Sequence, residues 1–319
     1  LLVALRNDHD AVGWGDIAPL PGFSREDIDQ AIQATTDLLS GIPAADSSGL
    51  AAMAQQSFPS VAFGTESALY SLRALQLWPG RTGSESVPVN GLLSGSLEEV
   101  ESGARRLMDA GYRTLKLKVG RNSIEEDLEK VAAVRRWADS SVRLRLDANQ
   151  AWNLDEAIEF GRAARKYEIE HLEEPLRDSA RLEDFYRGCG VAYALDESLR
   201  TMNPADVGAR LGLAALILKP TLLGGMEKSL QFVRRALELD LVPVLSSSFE
   251  SSVGLFALAD MAAAVAPETA CGLGTAAWFA EDLLDFPIPI EQGRMRLGKT
   301  PPHAGQIRME LLQEVAFRL

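Results

Sequence analysis

Lys118, Asp147, Glu173, Asp196, Lys219 and Ser246 each close a short apolar run, and successive members lie 23 to 29 residues apart. That interval is the length of one strand plus one helix. Asp147, Glu173 and Asp196 fall on three successive runs. Three carboxylates brought together repel unless a cation joins them. An all-oxygen donor set suits Mg²⁺, which keeps water or substrate oxygens in its remaining positions. The competing reading, three unrelated surface acids, leaves their common place at run ends unexplained. Lys118 and Lys219 would flank the ion from opposite sides. A lysine serves as a base only when its pKa falls from about 10.4 toward neutrality. Burial, a neighbour such as Lys116 and a divalent ion all push in that direction. A Lys-x-Lys pair on an edge strand would be solvated, but charged pairs are rarely buried in a central strand without purpose. Counting the three carboxylates, a divalent ion, Lys116, Lys118, Lys219 and Arg145, the mouth carries a formal charge of +3, which a dicarboxylate substrate would largely neutralise.

Residues so far apart meet only if the chain returns each run to one place. The runs are Val87–Leu93, Thr114–Val119, Val142–Asp147, Ile169–Glu173, Ala192–Asp196, Ala214–Lys219, Val242–Ser247 and a weaker Thr269–Leu273. Amphipathic segments such as Ile124–Trp137, Asp155–Tyr167 and Met226–Leu239 lie between them. Strands alternating with helices imply a parallel sheet, and eight units imply closure into a (β/α) barrel. An open doubly wound sheet is the alternative; polar residues at run ends all the way round favour the barrel. The C-terminal ends of parallel barrel strands share one face, which carries the chemistry. Strand alternation predicts a second layer two residues earlier, formed by Lys116, Arg145, His171, Ala194, Ile217 and Val244. By the same parity Glu173 rather than Glu174 faces the metal, in line with Ile169 and His171.

The first ninety residues differ in texture. Residues 1–17 alternate like an antiparallel pair and read as strand from Leu1 onward, so upstream residues are expected and a lost leader stays open. Pro19-Leu20-Pro21-Gly22-Phe23-Ser24 cannot be helix or central strand. Ser24 with Asp27 predicts an N-cap for a helix to about Leu39, and a second helix runs from Ser60 to about Leu77, stopped by Trp78-Pro79-Gly80. Net charge is −13, from 32 basic and 45 acidic residues, which argues against a nucleic-acid partner. No apolar run reaches the roughly 18–20 residues of a membrane span. Cys189 and Cys271 form no Cys-x-x-Cys pair and read as buried thiols of a reducing cytosol. Gly224-Gly225 reads as a tight turn before a helix in preference to a phosphate cradle. His9, His171 and His303 miss the strand ends, and His171 reads as a satisfied interior residue.

These residues carry a resemblance over nearly the whole chain. Gly13-Trp14-Gly15-Asp16-Ile17-Ala18-Pro19-Leu20-Pro21-Gly22-Phe23-Ser24, Lys116-Leu117-Lys118, Asp147-Ala148-Asn149, Glu173-Glu174-Pro175, Asp196-Glu197-Ser198, Lys219-Pro220-Thr221 and Ser246-Ser247-Ser248-Phe249-Glu250-Ser251-Ser252 resemble the enolase superfamily and, within it, the o-succinylbenzoate synthases of menaquinone biosynthesis. The resemblance implies an α/β protein, a (β/α) barrel of the enolase type (modified TIM barrel) with an N-terminal α+β capping domain. Its expected divisions are a cap over 1–86 with truncated first strands, a catalytic barrel over 87–285, and a segment over 286–319 that returns to the cap. It implies Mg²⁺ on Asp147, Glu173 and Asp196, and catalysis by Lys118 and Lys219. The superfamily scheme, a Lys or His base with Mg²⁺ holding an enediolate, comes with that resemblance. The implied reaction is dehydration of 2-succinyl-6-hydroxy-2,4-cyclohexadiene-1-carboxylate in the cytoplasm. Lys116, Arg145, Asn149, Ser246, Ser247, Gly272 and Phe23 are the candidate substrate contacts, with Trp152 a further candidate for lining an apolar pocket. Residues 17–24 would form a lid. An N-acylamino acid racemase, a dipeptide epimerase, a muconate cycloisomerase or a non-catalytic carboxylate-binding barrel are the alternatives. Gly274 stands where relatives often carry Asp, which argues against the dipeptide epimerases.

Overall fold

The computed structural model describes residues 1–40, 47–73, 85–286, 288–298 and 301–315. The chain opens with an antiparallel ribbon of β1 (Leu2–Arg6) and β2 (Val12–Asp16), followed by α1 (Ile28–Ser40), α2 (Ser47–Ala54) and α3 (Pro59–Arg73). The ribbon lies so close to α3 that a Cβ on Gly15 would stand 1.8 Å from the Gly64 carbonyl oxygen. Asp27, not Ser24, opens α1: its Oδ1 accepts from Gln30 N at 2.8 Å, and Gln30 answers on Asp27 N at 3.0 Å. Ser24 braces the preceding loop instead, its hydroxyl accepting from Leu20 N at 2.8 Å. α2 is an addition to the two expected helices. The predicted stop at Trp78-Pro79-Gly80 lies outside the described residues.

The barrel follows. β3 (Ser86–Pro88) and β4 (Gly91–Leu93) divide the first expected run. Next come α4 (Leu97–Asp109), β5 (Thr114–Lys118), α5 (Ile124–Trp137), β6 (Arg143–Asp147), α6 (Leu154–Ala164), β7 (Ile169–Glu173) and α7 (Leu182–Cys189). Then come β8 (Tyr193–Leu195), β9 (Leu213–Leu218), α8 (Pro220–Leu223), α9 (Gly225–Glu238), β10 (Val242–Leu245) and α10 (Ser252–Val265). Full capping boxes at Ser96, Ser123 and Asn153, each answered by a Glu three residues on, start α4, α5 and α6. Strands β4 to β10 form one parallel sheet in chain order. The eighth run forms no strand. It closes the ring through single bridges, Ser246 to Gly272 and Val89 to Cys271, with Gly272 N on Leu245 O at 2.8 Å and Cys271 N on Pro88 O at 2.9 Å. β11 (Ile290–Glu291) and β12 (Arg294–Arg296) join β3 in an antiparallel sheet. The tail therefore meets the barrel first. Only farther on does Ile307 pack with Val253 and Leu284 against Leu2 and Trp14 of the first ribbon.

Inside the ring, Ala194, Ile217 and Val244 form a separate buried cluster with Ala215, as the alternation predicts. The larger core lies between strands and helices. Buried carboxylates tie the cap to the barrel. Asp16 accepts from Ser251 N and Oγ, each at 2.7 Å. Glu66, on α3, accepts from Met226 N at 2.5 Å and Glu227 N at 3.2 Å. The first turn of α9 after Gly224-Gly225 thus serves a side chain of the cap.

Candidate active site

Parallel register sets the site. Lys118 pairs with Asp147 and Asp147 with Glu173, so the ends of β5, β6 and β7 lie at one level. Asp147, Glu173 and Asp196 are buried, each with a ligand oxygen within 4.8 Å of the others. Such a set is compact enough and hard enough for a divalent cation. The Lys116 ammonium contacts Glu173 and lies 2.8 Å from Asp147 Oδ2. Lys118 Nζ donates to Asp147 Oδ2 at 2.6 Å and to Asn149 Oδ1 at 2.8 Å. Lys219 Nζ donates to Asp196 Oδ2 at 2.5 Å from the other side.

Burial works against the charges of Lys116, Lys219, Asp147 and Glu173, and opposite charges outweigh it at each. Lys116 and Lys219 are held above the ordinary lysine range by the facing carboxylates, chiefly Asp147 for Lys116 and Asp196 for Lys219. Asp147 and Glu173 are held below theirs, with Lys116 the largest opposing influence on both. The fall in lysine pKa expected from burial is therefore reversed at Lys219, because Asp196 and then Asp147 face its amine.

Arg145 keeps its place in the second layer, in register with Lys116 and His171, but is engaged by other partners. Its guanidinium turns to Glu170 Oε2 at 2.5 Å and to the Ala270 carbonyl at 2.7 Å. A bulge in β7 supplies the first of them: Leu144 pairs with Ile169 and Arg145 with His171, leaving Glu170 as the extra residue. Glu170 thereby meets Arg145 below the site, and the formal charge at the mouth is one unit lower. The bulge also moves Ile169 into the core outside the sheet beside Leu144, so parity with Ile169 does not explain why Glu173 faces inward. Parity with His171 does. His171 is buried with Nε2 3.6 Å from Glu173 Oε1, and that nitrogen has no hydrogen-bond partner, contrary to the expected satisfied interior residue.

Asn149 sits beside the lysine with φ of 45°, a left-handed setting that Asn tolerates. Ser247 Oγ lies 2.9 Å from both the Gly272 carbonyl and Thr275 Oγ1, and Ser246 Oγ is 3.4 Å from the same carbonyl. A Cβ on Gly272 would stand 2.5 Å from Ser246 Oγ. These three residues line the seam where the ring closes. Phe23 reaches the loop after β8 rather than the carboxylates, with its ring 5.4 Å from the Arg200 guanidinium carbon. Trp152 is buried against Phe160, ring centres 4.5 Å apart, and belongs to the core.

Two acids beside the site, Glu174 buried and Glu197 partly so, carry roles that sequence reasoning missed. Glu174 accepts from Asp196 N, Ser198 N and Ser198 Oγ at 2.8 to 2.9 Å, and so fixes the loop that presents Asp196. Glu197 accepts from Asn149 Nδ2 at 2.9 Å, and burial, then Asp196, pushes its pKa up to about 7. Each directly follows one of the metal-site acids in sequence, and that adjacency was the only signal.

Residues 99–308 match the family described as enolase C-terminal domain-like, and residues 1–72 match the MenC N-terminal domain. The chain is 36% identical over 301 residues to the o-succinylbenzoate synthase of Yersinia pseudotuberculosis serotype O:3 (strain YPIII), covering 91% of this chain and 87% of that protein. Its fold resembles that of a dipeptide epimerase from Cytophaga hutchinsonii complexed with Mg and the dipeptide D-Ala-L-Val, with TM-score 0.82, 23% identity, and 94% and 86% of the two chains covered. It also resembles MenC from Desulfotalea psychrophila LSv54, with TM-score 0.74, 22% identity, and 93% of each chain covered.

Proposed function

Since the chain belongs to the o-succinylbenzoate synthase family of the enolase superfamily, we propose that it dehydrates 2-succinyl-6-hydroxy-2,4-cyclohexadiene-1-carboxylate to o-succinylbenzoate. The observation that carries the reading is one cluster of three buried carboxylates with a lysine amine on each side. Asp147, Glu173 and Asp196 would hold Mg²⁺. When bound, Mg²⁺ would supply positive charge against the negative charge the ring carboxylate gains as its alpha proton leaves.

Lys118 Nζ takes the proton from the ring carbon alpha to the carboxylate. The bond from the adjacent carbon to its hydroxyl then breaks, and Lys118 returns the proton to that hydroxyl, so that water leaves and the ring becomes aromatic. One amine on one face suffices for both transfers. Asp147 and Asn149 hold that amine by hydrogen bonds. Lys219 opposes the developing negative charge from the other face. Lys116, Asn149, Ser246, Ser247 and Gly272 provide the polar contacts to this dicarboxylate, and the segment 17–24 with Phe23 covers it. We read residues 1–86 as cap, 87–285 as catalytic barrel and 286–319 as the returning segment. Two buried free thiols among the described residues accord with reaction in the cytoplasm.

The test is incubation of the Mg²⁺-loaded enzyme with the cyclohexadiene, followed by absorbance of the aromatic product. Stoichiometric product at a rate well above the spontaneous one is expected. Inertness toward the cyclohexadiene combined with racemisation of N-acylamino acids would refute the reading in favour of the sister activity.

A further inference from the structure

Arg200 lies in the loop after β8, between the cap and the lysine side of the site. Its Nη1 donates to the Phe23 carbonyl at 3.4 Å, its guanidinium stacks against the Phe23 ring, and its own carbonyl accepts from Arg25 Nη2 at 2.9 Å. Its Nη2 stands 4.0 Å from Glu197 Oε1. That oxygen accepts from Asn149 Nδ2 at 2.9 Å, and Asn149 Oδ1 accepts from Lys118 Nζ at 2.8 Å. A line of contacts thus runs from an exposed aromatic of the cap to the candidate proton carrier, with one open link, the 4.0 Å approach of Arg200 to Glu197.

The line has a direction built into it. An amide that turns its oxygen to an ammonium points its NH₂ the other way, and an acceptor there favours that orientation over the flipped one. Glu197 is that acceptor. Were Glu197 to swing away, Asn149 could turn over and present N–H groups to Lys118, which would push the amine off its position. Glu197 in turn is steadied by Arg200, and the pair has slack. Arg200 Nε and Nη2 and Glu197 Oε2 are buried and without hydrogen-bond partners. Buried donors and acceptors left unpaired are costly. A shift of about 1 Å would turn the 4.0 Å approach into a charge-assisted hydrogen bond. The Phe23 contacts are themselves long, a 3.4 Å hydrogen bond and a ring 5.4 Å away, and closer seating of Phe23 on the guanidinium is what would supply that shift.

We propose that Arg200 is a positioning residue that couples the seating of the Phe23 loop to the placement of the Lys118 amine through Glu197 and Asn149. The proposal rests on Lys118 as proton carrier. The experiment is a double-mutant cycle on the Mg²⁺-loaded enzyme with Phe23→Leu, Arg200→Gln and the pair. Arg200→Gln lowers kcat about tenfold with KM within about twofold, Phe23→Leu lowers it less, and the double variant is no worse than Arg200→Gln alone. Multiplying losses, or losses confined to KM, overturn the coupling. Competitive acetylation of Lys118 in the resting enzyme, normalised to the exposed Lys166, is the readout independent of turnover. Both single variants should change the Lys118 labelling ratio at least about threefold, because the amine loses its fixed partner. An unchanged ratio overturns the proposal even if kcat falls. A wild-type enzyme without dehydratase activity would defeat the functional reading, while the labelling ratio would still decide the coupling. If Arg200→Gln does not fold, Arg200→Lys, which keeps the charge but loses the planar fork, takes its place in both measurements.

Discussion

Replacing Glu250 by Gln should stabilise the protein at neutral and alkaline pH and leave it unchanged in mild acid. Glu250 is fully buried where the cap meets the barrel. The Thr221 hydroxyl donates to it, and Ser248 N donates to its Oε2 at 2.6 Å. Burial lifts its pKa from 4.5 to about 7, and nearby Asp16 adds to the rise. Between those two values the folded state keeps the proton that the unfolded chain has released. Stability contributed by this group is therefore complete below the unfolded value and falls as pH rises to the folded value. A shift of that size corresponds to about 3 kcal/mol. The amide keeps an acceptor for Ser248 N, and its NH₂ donates to the Thr221 hydroxyl in place of the bond that hydroxyl gave, so the packing survives the exchange. Glu66 is also raised to about 7, chiefly by burial, but it is present in both proteins and cancels in the comparison. Urea unfolding of wild type and Glu250→Gln, at fixed Mg²⁺ between about pH 5 and pH 8, is the assay. The difference in unfolding free energy should grow from near zero to about 2–3 kcal/mol across that range. A difference that stays constant, or shrinks as pH rises, would refute the reasoning.

Lys118→Arg should abolish dehydration, whereas Lys219→Arg should retain part of it, since Arg keeps charge but does not give up its proton. Exchange of the alpha proton of a non-eliminating substrate analogue in deuterated water should survive in Lys219→Arg and vanish in Lys118→Arg; the reverse would move the base to the other face. Asp147→Asn, Glu173→Gln and Asp196→Asn should each weaken Mg²⁺ binding by at least about tenfold in calorimetric titration. Unaltered affinity in any one of them would remove that residue from the metal set. Glu174→Ala leaves the buried N–H of Asp196 and the partly buried N–H of Ser198 without their acceptor. It should lower unfolding free energy by about 2–3 kcal/mol in urea titration and weaken Mg²⁺ binding as the Asp196 loop loosens.

The site was legible in sequence because a parallel barrel turns sequence interval into position. Once each run ends in a polar residue, the shared face follows, and Asp147, Glu173, Asp196, Lys118 and Lys219 meet there without further information. Arg145 kept its predicted layer but met a partner that alternation does not announce. Alternation assumes an unbroken ladder, and a single extra residue in β7 brings Glu170 to Arg145 without leaving a pattern in composition. Ser24 failed because two candidate caps lie three residues apart and only geometry decides between them. Glu174 and Glu197 went unassigned because their partners are backbone N–H groups and an amide brought together by folding. The eighth run was read as a strand. Its role was right and its form was not, because one rung on each side is enough to close the ring.

The pairing of β12 with β3 has a consequence for synthesis. Arg294 Nη2 donates to Ser86 O across 208 residues of chain, and Met295 faces Val87 in the ladder. As the polypeptide leaves the ribosome from its N-terminus, the cap and the first β/α units emerge with their local partners already available. The underside of the first barrel strand does not. It waits, with its edge unpaired, until 208 further residues have been made. A stop codon or a protease cut just before β11 would spare every metal ligand and both lysines, yet leave a nascent barrel whose exposed edge invites neighbouring chains to pair with it.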